Sequence, residues 1–244
     1  MAINTRKYIE AYLKIRTKTA EVKPLILNKP QERLYNLIAE QHRANKPVRV
    51  IILKARQMGF STLTEAIIFK ATATARHVTS AIVAHDDKAT QNLFEMSKRY
   101  YNYLPKPLQP QIKASNAYEL VFDTKDGKGL DSKIKCFTAG GQNIGRSDTI
   151  RNLHISELAF WSGDKASTLL GLLQAVPDMP GTMIIIESTA NGYDYYKELW
   201  DMAVAGESEY VPLFVAWWEL DEYQRPYTGF ELTADERRLK ALYG

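Results

Sequence analysis

With 244 residues and 45% hydrophobic content, the chain can bury one large core and is too apolar to be disordered as a whole. Its formal net charge of +4 is compatible with a polyanionic partner without requiring one. A lone cysteine, Cys136, excludes an internal disulfide and a cysteine-rich zinc site, and no apolar run approaches the roughly 18 residues of a membrane span, which points to a soluble, intracellular protein with no membrane contact.

Arg6, Lys7, Lys14, Arg16, Lys18, Lys23 and Lys29 outweigh Glu10 and Glu21 at the N-terminus, as a solvated helix face or a nucleic-acid contact would. Tyr8, Ile9, Tyr12, Leu13 and Ile15 predict a short amphipathic helix over 6–17. Pro24 and Pro30 bracket an extended segment, and Asn28-Lys29-Pro30-Gln31 opens a helix to Arg43 with Leu34, Leu37 and Ile38 inward. The Gln31 amide is able to meet an adenine edge, although from these residues alone a solvent-facing glutamine is the simpler expectation.

Val48–Leu53 carries too many consecutive aliphatic residues for a sheet with one wet face, and is expected in the middle of a parallel sheet. The residues after it, Lys54-Ala55-Arg56-Gln57-Met58-Gly59-Phe60-Ser61-Thr62, lead into a helix and resemble a phosphate-binding loop. Against GxxxxGK[ST], Gly59 and Ser61 match, Lys54 replaces the first glycine and Phe60 replaces the lysine. An ordinary strand–turn–helix with a Ser-Thr cap is the alternative.

Ser80–His85 predicts a second strand, and Asp86 or Asp87 a cap for a helix to Tyr103. Two βα units in succession argue for an α/β fold. Alternation in YELVFDT and SKIKCFT, joined by KDGKGLD, predicts an antiparallel hairpin that buries Cys136. Leu153–Ile155 ends in Ser156 and Glu157; a helix over 165–175 turns Leu169, Leu170, Leu172 and Leu173 inward; Thr182–Glu187 ends in Ser188-Thr189-Ala190-Asn191. A helix over Tyr193–Ala205, a last core strand over Val211–Trp218 and a terminal helix over Thr233–Tyr243 complete the pattern.

Three polar strand tips result, at the edge where open parallel sheets bind ligands. A nucleotide triphosphatase needs this division of labour: a loop for the phosphates, a carboxylate (Glu157) to orient water, and a third tip to sense the terminal phosphate. Ser61 would give its hydroxyl to Mg²⁺. Ser156 stands where a metal-directing acid is usual, and Phe60 leaves Arg56 or Lys54 to neutralise the phosphates. A stacking platform for single strands, as in a helicase-like ATPase, would need Tyr100, Tyr101 and Tyr103 exposed.

In order and spacing, KARQMGFST, GRSDTIRNLHISELAFW, IIIESTANG and WWELDEYQRPYTGFELTADERR resemble the large terminase subunits of tailed bacteriophages, the ATP-driven motors that package double-stranded DNA into proheads. The resemblance spans about residues 28–244 and implies a P-loop NTPase: a central, mainly parallel sheet flanked by helices, an antiparallel hairpin and a small C-terminal helical or linker subdomain. It implies a basic helical extension over 1–27, an ATPase core over 28–218 and a linker or lid over 219–244 leading to an absent nuclease domain, so that no nuclease activity is expected.

By the same resemblance, Gln31 contacts adenine and Lys54 to Thr62 form the Walker A loop, with Arg56 favoured over Lys54 as the compensating cation. Glu157 matches the catalytic Walker B glutamate, Ser188, Thr189, Ala190 and Asn191 match the coupling motif, and Arg146 matches the catalytic arginine just ahead of Walker B, which in some members acts in trans on a neighbouring subunit. ATP and Mg²⁺ are the implied cofactors, with Ser61 on the metal and Ser156 and Glu157 through water. Double-stranded DNA, a portal protein, a small terminase subunit and further copies in a ring are the implied partners. The host cytoplasm, and not the mature virion, is the implied location. A nucleotide- or DNA-binding module with little hydrolysis is the alternative, motivated by Ser156 and Phe60.

Overall fold

The computed structural model describes residues 4–140, 149–223, 229 and 231–243. Helix α1 (Thr5–Tyr12) starts at Asn4, whose side chain caps it, and ends sooner than periodicity predicts. Lys14–Arg16 (β1) pairs instead with Val22–Pro24 (β2) as a small antiparallel hairpin. Ile15 is thus half-buried from a strand, and its match to the helical period was coincidental.

Helix α2 (Lys29–Arg43) opens on a capping box between Asn28 and Gln31, with Pro30 in its first turn. The chain then alternates strand and helix: β3 (Val48–Lys54), α3 (Phe60–Ala73), β4 (Thr79–Ala84) and α4 (Asp87–Tyr103), which Asp86 caps. Ala114–Ser115 (β5), Glu119–Phe122 (β6) and Ser132–Thr138 (β7) follow, then β8 (Asn152–Ser156), α5 (Lys165–Leu173), β9 (Met183–Ser188), α6 (Tyr195–Ala205), β10 (Val211–Val215) and α7 (Ala234–Tyr243).

The main sheet has eight strands in the order β10-β3-β9-β8-β4-β7-β6-β5. From β10 to β7 every pairing is parallel, and β6 and β5 add an antiparallel edge that contains the predicted hairpin. This is an α/β fold with a central, mainly parallel sheet flanked by helices. Strand β3 has a parallel neighbour on each side but lies one strand from the edge, because β10 closes the sheet beside it. That last strand stops at Val215, and Trp217 and Trp218 sit half-exposed in a 3-10 turn.

Alternation along the strands sorts the core into two layers. Val48, Val50 and Ile52 of β3 and Met183 and Ile185 of β9 join one apolar cluster, with α1 to α4. Ile51, Ile184 and Ile186 join the other, with Leu153 and Ile155 of β8 and helices α5 and α6. Helix α3 is buried nearly all round, against α1, α2, α4 and the sheet, so it shows no polar face. On α5 only Leu169 and Leu172 are buried; Leu170, predicted inward, is 57% exposed because nine residues on one layer offer a narrow stripe. Among the described residues no helix is long and apolar enough to cross a membrane.

Tyr100 is wholly buried, with its hydroxyl on the Thr62 carbonyl at 2.9 Å, and Tyr101 packs against Phe122. Only Tyr103 of the three tyrosines is exposed, so they form no stacking platform.

Candidate functional site

Strand order places the tips of β3, β9 and β8 side by side. Leu53 pairs with Ser188, and Glu187 with Ser156, so Lys54, Ser188 and Glu157 emerge together at the carboxyl edge of the sheet.

Beyond β3 the chain turns through two left-handed residues, Gln57 at φ +56° and Gly59 at φ +82°. Glycine is needed at 59 on two counts, since a Cβ there would also lie 2.7 Å from Gln31 Nε2. Met58 and Phe60 are buried and anchor the loop in the core, so the side chain at the usual lysine position points away from any ligand. Helix α3 has no side-chain cap. The Ser-Thr cap admitted by the sequence is absent, and the N-terminal N–H groups of a helix in this state attract an anion.

Gln31 is 4% exposed, which corrects the solvent-facing expectation. Its Oε1 accepts from Asn28 N at 3.0 Å and its Nε2 donates to the Gly59 carbonyl at 2.7 Å, while Asn28 Nδ2 donates to the Met58 carbonyl at 3.2 Å. Both amides brace the loop from beneath.

Of the two candidate cations, Lys54 lies inside the site. It is 8% exposed, and its Nζ donates to Glu157 Oε1 at 2.8 Å. Arg56 is exposed, and its carbonyl accepts from the Tyr223 hydroxyl. Glu157 itself sits in left-handed backbone at φ +52°, an unfavourable conformation for a side-chain-bearing residue and one that clusters at functional sites. Its Oε2 accepts from Thr189 N at 3.0 Å, and from the Ser188 and Thr189 hydroxyls at 3.3 Å each. Ser188 Oγ also accepts from Ala159 N at 3.2 Å, and Asn191 Nδ2 donates to the Ala159 carbonyl at 3.0 Å. The glutamate and the Ser188–Asn191 tip therefore form one hydrogen-bonded unit, in which Ala190 is exposed. Arg146 lies outside the described residues.

Sequence reasoning missed a buried chain beneath these tips. Strand parity turns His154 and Ser156 of β8 and Glu187 of β9 toward α3, which presents Glu65 and Ser61. Glu65, His154 and Glu187 are each wholly buried. His154 Nδ1 meets Glu65 Oε1 at 2.6 Å and its Nε2 meets Glu187 Oε1 at 3.1 Å; Ser61 Oγ donates to the same Glu187 oxygen. The available signal was a charged residue inside an aliphatic run: Glu65 before Ala66-Ile67-Ile68, His154 between Leu153 and Ile155, Glu187 after Ile184-Ile185-Ile186.

Burial opposes every charge here, and the partners decide the outcome. Burial lowers the His154 pKa, but hydrogen bonds to Glu187 and Glu65 outweigh it and raise the value from 6.5 to about 9. Burial would keep Glu187 neutral, yet Lys54 and His154 hold it well below the ordinary carboxylate range. Glu65 goes the other way, because its burial exceeds what His154 returns. Burial also works against the Lys54 ammonium, and Glu187 and Glu157 more than offset it.

A pH dependence follows. A raised histidine pKa stabilises the fold fully below pH 6.5, and that contribution fades as pH rises toward 9. Urea unfolding of the ligand-free chain should therefore lose on the order of 3 kcal/mol across this window. In His154→Gln the imidazole's share of that slope should be lost, leaving the loss that buried Glu65 contributes as it ionises; a slope unchanged in size and midpoint would remove His154 as its source.

No protein-family model matches the chain. Its structure matches the HK97 bacteriophage large terminase with a TM-score of 0.68, over 86% of this chain and 43% of that one, at 18% identity. The fold is that of a phage large terminase. The large terminase of a thermophilic bacteriophage matches with a TM-score of 0.57 over 79% of this chain and 46% of its own, at 13% identity. The same protein in complex with ADP gives 0.53 over 78% and 45%, at 12% identity. This chain thus spans less than half the length of the terminases it matches, and at these identities the likeness is one of fold.

Proposed function

We propose that the chain is the ATP-hydrolysing motor domain of a DNA-packaging terminase, which couples hydrolysis to translocation of double-stranded DNA into a prohead. The observation that carries this reading is the Lys54–Glu157 pair, which joins the loop after β3 to the tip after β8, with Ser188 and Thr189 on the same carboxylate. The terminase fold, seen with ADP in the thermophilic phage protein, supports it.

Lys54 and Glu157 neutralise each other as an ion pair. An entering triphosphate offers Lys54 a stronger anion, and the loop amides and the α3 N-terminus take its phosphate oxygens. Release of Glu157 from Lys54 frees a carboxylate, still held by Thr189 and Ser188, to accept a proton from the attacking water. Those same hydrogen bonds let the Ser188–Asn191 tip respond when the terminal phosphate leaves. Lys54, rather than Arg56, is the compensating cation in this reading. Gln31 and Asn28 hold the loop in shape through its carbonyls, and Arg146 completes the site of a neighbouring copy in a ring.

The residues fit Mg²⁺. Ser61 offers a hydroxyl, and Glu187, beside it, has a buried Oε2 with no hydrogen-bond partner among the described residues. Magnesium bound with ATP takes one or two protein oxygens and otherwise phosphate and water, and it supplies positive charge to the phosphates. A portal protein, a small terminase subunit and double-stranded DNA are the partners of this reading, and the host cytoplasm its location.

Calorimetry with ATP and Mg²⁺, run beside a phosphate-release assay, tests it. Binding with turnover is expected. Binding without turnover would favour a nucleotide-binding module instead.

A further inference from the structure

Ser156 stands on β8 where the metal-directing acid of such a site is usual, yet a carboxylate lies one strand away. Ser156 and Glu187 are register partners across β8 and β9. Glu187 is wholly buried, and its Oε1 takes the Ser61 hydroxyl, the Ser156 hydroxyl at 3.4 Å and His154 Nε2 at 3.1 Å. Its Oε2 is buried with no hydrogen-bond partner among the described residues. A carboxylate oxygen left in that state calls for a ligand, because burial removes its water and nothing replaces it.

We propose that Glu187 supplies, from β9, the metal-directing carboxylate that Ser156 lacks on β8, acting on Ser61 and on the Mg²⁺ that accompanies ATP. His154 and Glu65 are positioning residues for it. His154 grips Oε1, the oxygen that also takes the Ser61 hydroxyl, and is itself gripped by Glu65 of α3, so the carboxylate is fixed through Oε1 and Oε2 is left for the metal or its water. This geometry transposes the acid by one strand while keeping it on the α3 face, where the loop hydroxyl lies. The inference rests on the ATPase reading above.

The test uses Mn²⁺ as the metal and the slowly hydrolysed analogue ATPγS, with free Mn²⁺ followed by electron paramagnetic resonance. Glu187→Gln should weaken Mn²⁺ binding to the analogue-bound chain by about 10-fold or more, a size typical of groups that orient metal sites. Its affinity for metal-free ATPγS should stay near wild type. Adding Ser156→Asp, which returns an acid to β8, should recover most of the Mn²⁺ affinity, a rescue that a merely structural Glu187 would not allow. Wild-type Mn²⁺ affinity in Glu187→Gln, or no recovery with Ser156→Asp, overturns the assignment and leaves the ATPase reading intact. A wild-type chain that binds no ATPγS overturns both. Should Glu187→Gln not fold, a crystal structure of the wild type with Mn²⁺ and ATPγS decides. Glu187 on the metal directly or through one water is the expected result, and a metal with no such link overturns the role.

Discussion

Glu157→Gln is expected to lower phosphate release from ATP by about 100-fold or more, the usual weight of a general base, while ATP affinity stays within a few-fold of wild type. Glutamine keeps the size of the side chain and can still accept from Thr189 N and the Ser188 hydroxyl, so the tip of β9 remains attached. It cannot take a proton from water. The substitution also removes the anion that holds Lys54, which leaves that ammonium freer to meet phosphate. Turnover should therefore fall without loss of binding. A variant that releases phosphate at the wild-type rate would remove Glu157 from the chemistry.

Lys54→Met should have the second-largest effect, and the comparison with Arg56→Ala matters more than either value alone. Methionine fills the volume of the buried lysine stem but brings no charge to the phosphates. Loss of one preorganised electrostatic contact costs about 10² to 10³ in turnover in comparable sites. Arg56, whose side chain is exposed, should change turnover by no more than about threefold when replaced by alanine, the weight of a solvent-screened surface charge. Thermal unfolding should accompany both assays, because removal of Lys54 also leaves Glu187 without its strongest counter-charge. Equal losses at the two positions, or the larger loss at Arg56, would contradict the assignment of Lys54.

The strands, most helix boundaries and the three polar tips were legible in the sequence because each depends on local pattern. Aliphatic runs mark β3, β8 and β9, and Asn28, Pro30 and Asp86 punctuate the helices. Choosing between Lys54 and Arg56 was beyond that pattern. Both sit in one loop, and only the extension of β3 to residue 54, paired with Val215, puts Lys54 on the same face as Val50 and Ile52. The Glu65–His154–Glu187 chain was hidden for a related reason. Its three members lie in three separate elements, and their meeting depends on β8 and β9 being neighbours under α3. Ile15 failed in the opposite sense, since one apolar residue fits a helical period and a half-buried hairpin equally well.

A crystal structure of the wild-type chain with Mg²⁺ and ATPγS tests the central claim most directly. The account predicts the triphosphate at the loop of residues 54–62, Lys54 Nζ moved from Glu157 onto a phosphate oxygen, and Glu157 facing the terminal phosphate across a water. A triphosphate bound elsewhere, or one held by Arg56 while Lys54 stays on Glu157, would contradict it.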